Sequence, residues 1–247
     1  MIANLRLAAR LLALIVALLG GLVLHGMWRL FRRRSPWPRR FLGLVARIVG
    51  ARVRVTGRPL TRDVLFLSNH LSWIDILAIA GATGSAFVAK GELRDVPLVG
   101  WLCTLNRTLF VTRENRLQVP VQIARVRDAI GAGAAVTLFP EGTTGDGTLL
   151  LPFKAALLAA LDPPPPGVCV QPIRVDYGTA TRELAWVGDE PGQTHALRVL
   201  RRRGSFAVTL HLLDPFDPTA AGDRKAIAAL ARAAIAAAGQ STPAPNV

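Results

Sequence analysis

Cysteines, acidic residues and aromatic residues are scarce in this sequence. Only two cysteines, Cys103 and Cys169, occur among 247 residues, too few for a disulfide framework or a cysteine-based zinc site. Both are expected to be small buried residues in a reducing compartment. Aromatic residues make up 6% of the chain, with no RNA-binding aromatic signature and no zinc-knuckle spacing. These shortages argue against a secreted disulfide scaffold, a bound metal and a nucleic acid partner.

Positive charge is what the chain has in excess. Thirty Lys and Arg residues stand against 16 Asp and Glu, which gives a formal net charge of +14 and a pI near 11.6. Such an imbalance predicts anionic partners. Because aromatic residues are few, acidic lipid headgroups or a phosphorylated substrate or carrier are favoured over nucleic acid.

The N-terminal region predicts a membrane anchor. Residues 11–28 are apolar and uncharged, close to the ~20 residues that a bilayer span needs. The arginines within 29–40 predict that the downstream side faces the cytoplasm. They also disfavour a cleaved signal peptide, the alternative interpretation, as does the lack of a cleavage pattern near Trp28. The expected location is therefore the inner membrane, with the rest of the chain on its cytoplasmic face.

From Arg52 onward, strand and helix patterns alternate. This alternation predicts an α/β fold, a mostly parallel sheet flanked by helices, preceded by the membrane-anchoring helical segment. The predicted division is an anchor and basic interfacial segment over 1–50, a catalytic domain over 51–240 and a disordered tail over 241–247. The apolar segment 41–49 is either an interfacial helix or the first core helix, and the sequence does not separate the two.

The segment NHLSWID, residues 69–75, is the strongest candidate for chemistry. It follows a predicted buried strand and opens a predicted helix, so His70 is expected on the turn and Asp75 in the first helical turn. A carboxylate there can fix the imidazole tautomer and stabilise the imidazolium that forms when the other nitrogen takes a proton. Ser72 and Asp75 also form a capping box, and on this segment alone capping without catalysis is equally well supported.

Two more segments at predicted strand ends carry groups suited to anions. FPEGTT, residues 139–144, is a turn whose backbone amides, with those of Gly145 and Gly147, can cradle a phosphate or an oxyanion. Glu141 within it is expected to bond a substrate hydroxyl or to hold a basic partner. Arg113 falls where another strand leaves the sheet, and its planar guanidinium suits a phosphomonoester. Read singly, the first is an ordinary turn and the second a surface arginine.

Together these segments resemble the glycerolipid acyltransferase family, the membrane enzymes that acylate 1-acylglycerol-3-phosphate and related lysolipids. The resemblance covers roughly residues 57–175. NHLSWID is similar to the family's first block, NHxSxxD. TLFVTR (108–113) is similar to the second, GxxFIxR, and FPEGTT to the third, FPEGTR. VQPIRV (170–175) is similar to the proline-centred fourth block, while VAKGEL (88–93) and PFK (152–154) look like stretches between the blocks.

The resemblance implies a role for each segment. His70 would be the general base that deprotonates the acceptor hydroxyl, and Asp75 would orient it. The hydroxyl would attack an acyl thioester directly, with no metal and no covalent acyl-enzyme, so acyl-CoA or acyl carrier protein would be a co-substrate and no other cofactor would be needed. The residues expected at the substrate site are Asn69, Ser72, Lys90, Arg107, Arg113, Glu141, Gly142, Thr143 and Thr144.

Two departures from the family pattern concern the acceptor. Thr144 stands where the third block usually has arginine, and Arg107 replaces the glycine that opens the second block. Losing a cation weakens the case for a phosphate-bearing acceptor unless Arg107 compensates. Relatives with FPEGT followed by Thr or Ser and then Asp-Gly resemble enzymes that complete ornithine lipids.

The sequence therefore predicts an O-acyltransferase whose first-ranked acceptor is 1-acyl-sn-glycerol-3-phosphate, giving phosphatidic acid in phospholipid biosynthesis. The alternatives are a non-phosphate acceptor such as lyso-ornithine lipid, a hydrolase, and a non-catalytic membrane-tethered module that binds anionic lipid. His195 and His211 lack an acid at turn spacing and are expected to be ordinary fold residues. Asp176, Tyr177 and residues 186–190 are candidates for the lining of the acyl or acceptor pocket.

Overall fold

The computed structural model describes residues 2–32, 35–111 and 119–240. Arg113 and the predicted tail 241–247 lie outside the described residues. The strands within the described ranges are β1 (Ala51–Thr56), β2 (Val64–Ser68), β3 (Ala86–Lys90), β4 (Leu109–Val111), β5 (Ala135–Leu138), β6 (Cys169–Asp176) and β7 (Phe206–Leu212). The helices are α1 (Ile2–Leu30), α2 (Trp37–Val49), α3 (Trp73–Thr83), α4 (Val99–Leu105), α5 (Val119–Gly131), α6 (Thr181–Leu184), α7 (Gly192–Arg201), α8 (Pro218–Ala221) and α9 (Arg224–Gln240). Short 3-10 helices cover Gly91–Arg94, Ala155–Leu161 and Gly178–Ala180.

The strands form one sheet in the order β1-β7-β6-β2-β5-β3-β4. The five strands from β6 to β4 are mutually parallel, whereas β7 runs antiparallel to β6 and β1 parallel to β7. This topology confirms the prediction of a mostly parallel sheet flanked by helices. The carboxyl ends of the five parallel strands meet along one edge, called here the carboxyl edge, which is where sites form in such folds.

Strand β2 lies at the centre of the core because both of its faces are apolar. All five of its residues are buried. Phe66 packs into the cluster on the α3 side of the sheet, while Leu65 and Leu67 pack into the cluster on the α9 side. A run without polar alternation is typical of a central parallel strand. It fixes the point at which the NHLSWID segment emerges.

Helix α2 is the first core helix, one of the two alternatives that the sequence left open. Its Ala46 and Val49 are buried in the same cluster as the apolar face of α3. A Cβ atom added to Gly81 of α3 would stand 2.8 Å from the Cα of Gly43 of α2, so the two helices cross at a contact that only glycine permits. The core therefore begins at α2, before the predicted boundary at residue 51.

Helix α1 contains the predicted apolar stretch and extends beyond it on both sides. Its most apolar window has a mean hydropathy of 2.5, and no residue of that window is buried. Its 29 residues span about 43 Å at 1.5 Å per residue, more than the ~30 Å of a bilayer's hydrocarbon core. By length and composition, α1 is able to cross a membrane.

Both ends of α1 are nevertheless attached to the domain. Arg6 donates to the Arg201 carbonyl at 2.7 Å. Arg10 donates to the carbonyls of Val199 and Leu200, each at 3.0 Å, and to that of Gly204 at 3.1 Å. Near the other end, His25 Nδ1 lies 2.9 Å from Ser35 Oγ. In this structure α1 therefore lies against the domain, with Arg6 and Arg10 bonded to the end of α7 and the loop after it.

The alternation of strand and helix patterns in the sequence does not reveal the short elements between β6 and β7. Helices α6 and α7 fall in a stretch where no periodic pattern was recognised, and α7 buries only His195, Val199 and Leu200. A short element with three buried side chains gives too weak a periodic pattern to be recognised by sequence.

Candidate active site

His70 and Asp75 form a hydrogen-bonded pair at the carboxyl edge. His70 follows β2, Asp75 lies in the first turn of α3, and His70 Nδ1 is 2.9 Å from Asp75 Oδ2. The imidazole stacks on Phe139 with 3.8 Å between ring centroids. The side chain of His70 is 16% exposed and that of Asp75 is fully buried. A carboxylate at Nδ1 selects the tautomer with its proton there, and within the described part of the chain no hydrogen bond uses Nε2. The ring is thus oriented to accept a proton at Nε2.

The carboxylate of Asp75 also closes the capping box of α3. Its Oδ2 atom accepts hydrogen bonds from the backbone N–H groups of Leu71 at 2.6 Å and Ser72 at 2.9 Å. The Ser72 hydroxyl in turn accepts from the Ile74 N–H at 3.3 Å. Capping and the contact with His70 are therefore simultaneous, and the helix start holds the acid in place for the imidazole.

Tyr177 is a member of the site whose role sequence reasoning missed. Its hydroxyl donates to Asp75 Oδ1, and the residue is 1% exposed. Burial, together with the charge of Asp75, raises the pKa of Tyr177 well above its ordinary value, so the phenol remains a donor. The suggestion that Tyr177 lines a pocket is wrong, because the ring is buried behind the carboxylate. The available signal was that the chain has a single tyrosine, placed directly after a strand.

Asn69 and Glu141 attach the His70 loop to neighbouring backbone through hydrogen bonds. Glu141 accepts from the N–H of His70 at 2.7 Å and from that of Leu151 at 3.0 Å, and burial raises the pKa of its carboxyl group. Asn69 exchanges two hydrogen bonds with the backbone of Val175 in β6, at 2.7 and 3.0 Å. These bonds tie the loop to the ends of β5 and β6.

Three of the side chains predicted to contact substrate are thus buried within the protein. Asn69 is 6% exposed, Glu141 is 3% exposed and Ser72 is fully buried. Their polar groups bind the backbone of the loop and of the α3 start. In this conformation they position His70 and Asp75.

Lys90 and Arg107, the predicted cations that the structure describes, are not brought together. Lys90 is exposed at the end of β3, on the carboxyl edge and two strands from β2, roughly 10 Å away. Arg107 precedes β4, and the register that pairs Val88 with Leu109 puts it at the amino end of that strand, on the opposite edge. The sequence left open whether Arg107 compensates for the missing cation, and its place on the opposite edge of the sheet argues against that role. A residue before a parallel strand cannot reach the edge where that strand ends.

The FPEGTT loop is held by hydrogen bonds to its own backbone and to neighbouring loops, and Gly145 and Gly147 after it line a cavity beside Asn69. The N–H of Gly142, which has a φ of 71°, bonds to the Phe139 carbonyl at 3.1 Å, and the N–H of Gly145 bonds to the His70 carbonyl at 2.8 Å. Thr143 is exposed. The hydroxyl of Thr144 donates to the Trp186 carbonyl. At the position where the third block usually has arginine, the side chain is thus neutral and used inside the protein.

His195 is a fold residue, as the sequence predicts. It is fully buried; Trp73 Nε1 donates to its Nδ1 at 2.9 Å, and its Nε2 lies 3.1 Å from the Leu184 carbonyl. Burial lowers the pKa of its imidazole. In the ranges that the structure describes, no group of three or more His, Cys, Asp or Glu side chains is arranged to hold a metal ion.

Comparisons with known proteins agree with the geometry. The acyltransferase family model matches residues 52–176. A lyso-ornithine lipid O-acyltransferase from Rhodobacter capsulatus is 35% identical, covering 93% of this chain and 88% of that protein. A 1-acyl-sn-glycerol-3-phosphate acyltransferase from Neisseria meningitidis is 37% identical over 43% of each chain.

The same fold occurs in a solved structure. The crystal structure of the 1-acyl-sn-glycerophosphate acyltransferase from Thermotoga maritima superposes with a TM-score of 0.61 at 22% identity, over 95% of this chain and 97% of that one. That likeness concerns the fold, while the sequence match extends along nearly the whole length of the Rhodobacter capsulatus protein. The chain therefore belongs to the acyltransferase family.

Proposed function

We propose that the protein transfers a fatty acyl group from an acyl thioester to the hydroxyl of a lysolipid, with His70 as general base and Asp75 as its orienting acid. The observation that carries this proposal is the hydrogen bond between His70 Nδ1 and Asp75 Oδ2, in a ring that remains partly exposed. His70 Nε2 takes the hydroxyl proton while the oxygen attacks the thioester carbonyl. The carbon–sulfur bond then breaks, and the imidazolium returns its proton to the leaving thiolate.

The acceptor that we propose is lyso-ornithine lipid, which reverses the order of the two acceptors predicted from sequence. A relative with that activity in its name aligns over nearly the whole chain, whereas the glycerol phosphate enzyme from Neisseria meningitidis aligns over less than half. The neutral Thr144, bonded to Trp186, supports the same choice, because a phosphomonoester is bound best by arginine. Arg107, on the far edge of the sheet, offers no substitute.

The net charge of the chain supports an anionic acyl donor, and its apolar helix supports a location at the membrane. Coenzyme A and acyl carrier protein are both anionic, which suits a chain with a net charge of +14. Helix α1 exposes its apolar residues and would hold the domain at the cytoplasmic face of the inner membrane. Its arginine contacts with the domain support a helix that lies along the membrane surface.

The test is acyl transfer from a radiolabelled thioester, supplied as acyl-CoA and as acyl carrier protein, to lyso-ornithine lipid and to 1-acyl-sn-glycerol-3-phosphate. We expect faster turnover of the ornithine acceptor, and no free fatty acid when the acceptor is omitted. Faster turnover of the phosphate acceptor would overturn the choice of acceptor. Acceptor-independent release of fatty acid would identify a hydrolase instead.

A further inference from the structure

A polar cavity lies directly behind the His70 loop. It is partly open to solvent, and its walls include Asn69 and Leu71, the two chain neighbours of His70. The cavity therefore lies beside the loop that carries the proposed base. Arg174 and Asp176 at the end of β6 also line it, on either side of Val175.

The part of the cavity formed by β6 carries one positive and one negative side chain. Arg174 and Asp176 are two residues apart in a strand, so they project from the same face of the sheet. Asp176 Oδ1 accepts from the Gly178 N–H at 2.7 Å, which leaves its other oxygen for a ligand. No residue that the structure describes forms an ion pair with either side chain.

The guanidinium of Arg174 is held in place but not saturated. It packs against Gly239 of α9, where an added Cβ atom would stand 2.5 Å from its Cζ. One terminal nitrogen donates to the Ile235 carbonyl at 3.4 Å, whereas the buried Nε has no hydrogen-bond partner among the described residues. The buried Nε is out of reach of a ligand in this conformation, so the terminal nitrogens of the guanidinium are the donors available to an acceptor oxygen.

We propose that this cavity binds a zwitterionic amino acid headgroup, with Arg174 holding its carboxylate and Asp176 its ammonium group. This inference rests on the proposed function and names the part of the acceptor that the site recognises. An ornithine headgroup joined to its acyl chain through the α-amine keeps an α-carboxylate and a δ-ammonium. The guanidinium fork suits the first of these groups, and the Asp176 carboxylate neutralises the second.

The same part of the cavity disfavours a phosphate headgroup. A phosphomonoester would bring up to two negative charges next to Asp176, with the acid Glu141 also lining the cavity. Like charges at close range repel, and one arginine offsets only part of that repulsion. The cavity thus selects for a headgroup that carries charges of both signs.

The experiment compares three acceptors: lyso-ornithine lipid, its carboxyl methyl ester and its δ-N-acetyl derivative. The wild-type enzyme should have a KM for each derivative about tenfold or more above that for the parent, because each derivative loses one charge-assisted bond. In Arg174→Gln the rise in KM for the ester should disappear, while the rise in KM for the acetyl derivative remains. Asp176→Asn, which keeps an oxygen for the Gly178 N–H, should show the converse, and kcat should change less than KM in both variants.

Arg54→Gln, in the exposed part of β1, is the matched control and should leave all three KM values unchanged. If the wild-type enzyme acylates lyso-ornithine lipid but both variants keep both rises in KM, the headgroup site is refuted and the proposed function stands. If the enzyme acylates only the glycerol phosphate acceptor, the proposed acceptor and the headgroup site fall together. Should Arg174→Gln fail to fold, Asp176→Asn with the acetyl derivative decides alone.

Discussion

His70 and His195 are both held by side chains of the same short segment, yet their surroundings differ. Asp75 binds Nδ1 of His70, and two residues earlier in the chain Trp73 donates to Nδ1 of His195. The Trp73 contact is neutral, and the second nitrogen of His195 faces the Leu184 carbonyl. The partner of His70 is instead an anion, the Asp75 carboxylate, and the ring of His70 remains partly exposed.

The comparison shows which features of a histidine permit proton transfer. Both rings have a hydrogen-bond partner, so the presence of a partner does not distinguish them. An anionic partner stabilises the imidazolium, whereas burial among neutral groups disfavours it, as the lowered pKa of His195 indicates. We therefore expect changes at His70 to affect catalysis and changes at His195 to affect stability.

The largest effect is expected from His70→Gln. Removing a general base lowers kcat/KM by about 10² to 10⁴-fold, and the free energy of unfolding should change little because the ring is partly exposed. Transfer of a labelled acyl group measures the first quantity and urea denaturation the second. His211→Gln, on β7, is the control and should keep near wild-type turnover. Substantial turnover by His70→Gln would remove His70 as the base.

His195→Ala should show the opposite pattern. The substitution leaves a cavity and removes the partners of Trp73 Nε1 and the Leu184 carbonyl, at a cost of about 2 to 4 kcal/mol in the free energy of unfolding. Turnover per folded molecule, measured at low temperature, should stay within a few-fold of wild type. An unchanged free energy of unfolding with lost activity would place His195 in the catalytic machinery.

Asp75→Asn should reduce both kcat/KM and the free energy of unfolding. The amide cannot stabilise an imidazolium as the carboxylate does, and we expect kcat/KM to fall by about a hundredfold, less than in His70→Gln. The free energy of unfolding should drop by about 1 kcal/mol because the capping box is weakened. A loss of stability without a loss of kcat/KM would show that capping is the only role of Asp75.

Tyr177→Phe tests the support behind the acid. The ring is kept, including its edge contact with Phe206, while Asp75 Oδ1 loses its donor. Hydrogen bonds to charged groups contribute about 1.5 to 3 kcal/mol, so we expect a measurable loss of stability and a roughly tenfold lower kcat with KM little changed. Full kcat in this variant would show that the backbone donors alone hold the carboxylate.

The smallest effect is the pH dependence that His195 contributes. Its pKa in the folded protein is lowered by burial, whereas the unfolded chain has the ordinary value near ~6.5. Above that pH both states are neutral at this residue and it contributes nothing. As the pH falls below ~6.5, the unfolded state takes up a proton that the folded state does not, so stability decreases. Urea denaturation between pH 5 and 7.5 should show a shallower decline in His195→Gln than in wild type.

Local contacts explain most of what could be predicted. His70 and Asp75 are five residues apart, so a strand, a turn and a helix start bring them together in the order in which the chain presents them. The apolar run of β2 and the glycine-rich turn after β5 are also local patterns. The mostly parallel sheet followed from their alternation.

Contacts between distant residues could not be predicted in this way. The hydroxyl that supports Asp75 comes from a residue 102 positions away, and the carboxylate that supports the His70 N–H from one 71 positions away. The edge of the sheet on which Arg107 lies depends on the direction of β4. The opposite charges of Arg174 and Asp176 indicate a binding site only once the fold places them beside the His70 loop.

The amino-acid sequence by itself indicated the type of chemistry through the motif blocks that resemble those of the acyltransferase family, because the spacing of His70 and Asp75 alone also fits a capping box. The chain's charge and apolar helix are properties of composition. The tertiary structure alone decided which polar side chains support the base, which face a cavity and where α1 lies. Those outcomes depend on strand order and direction, which bring together residues that the sequence keeps far apart.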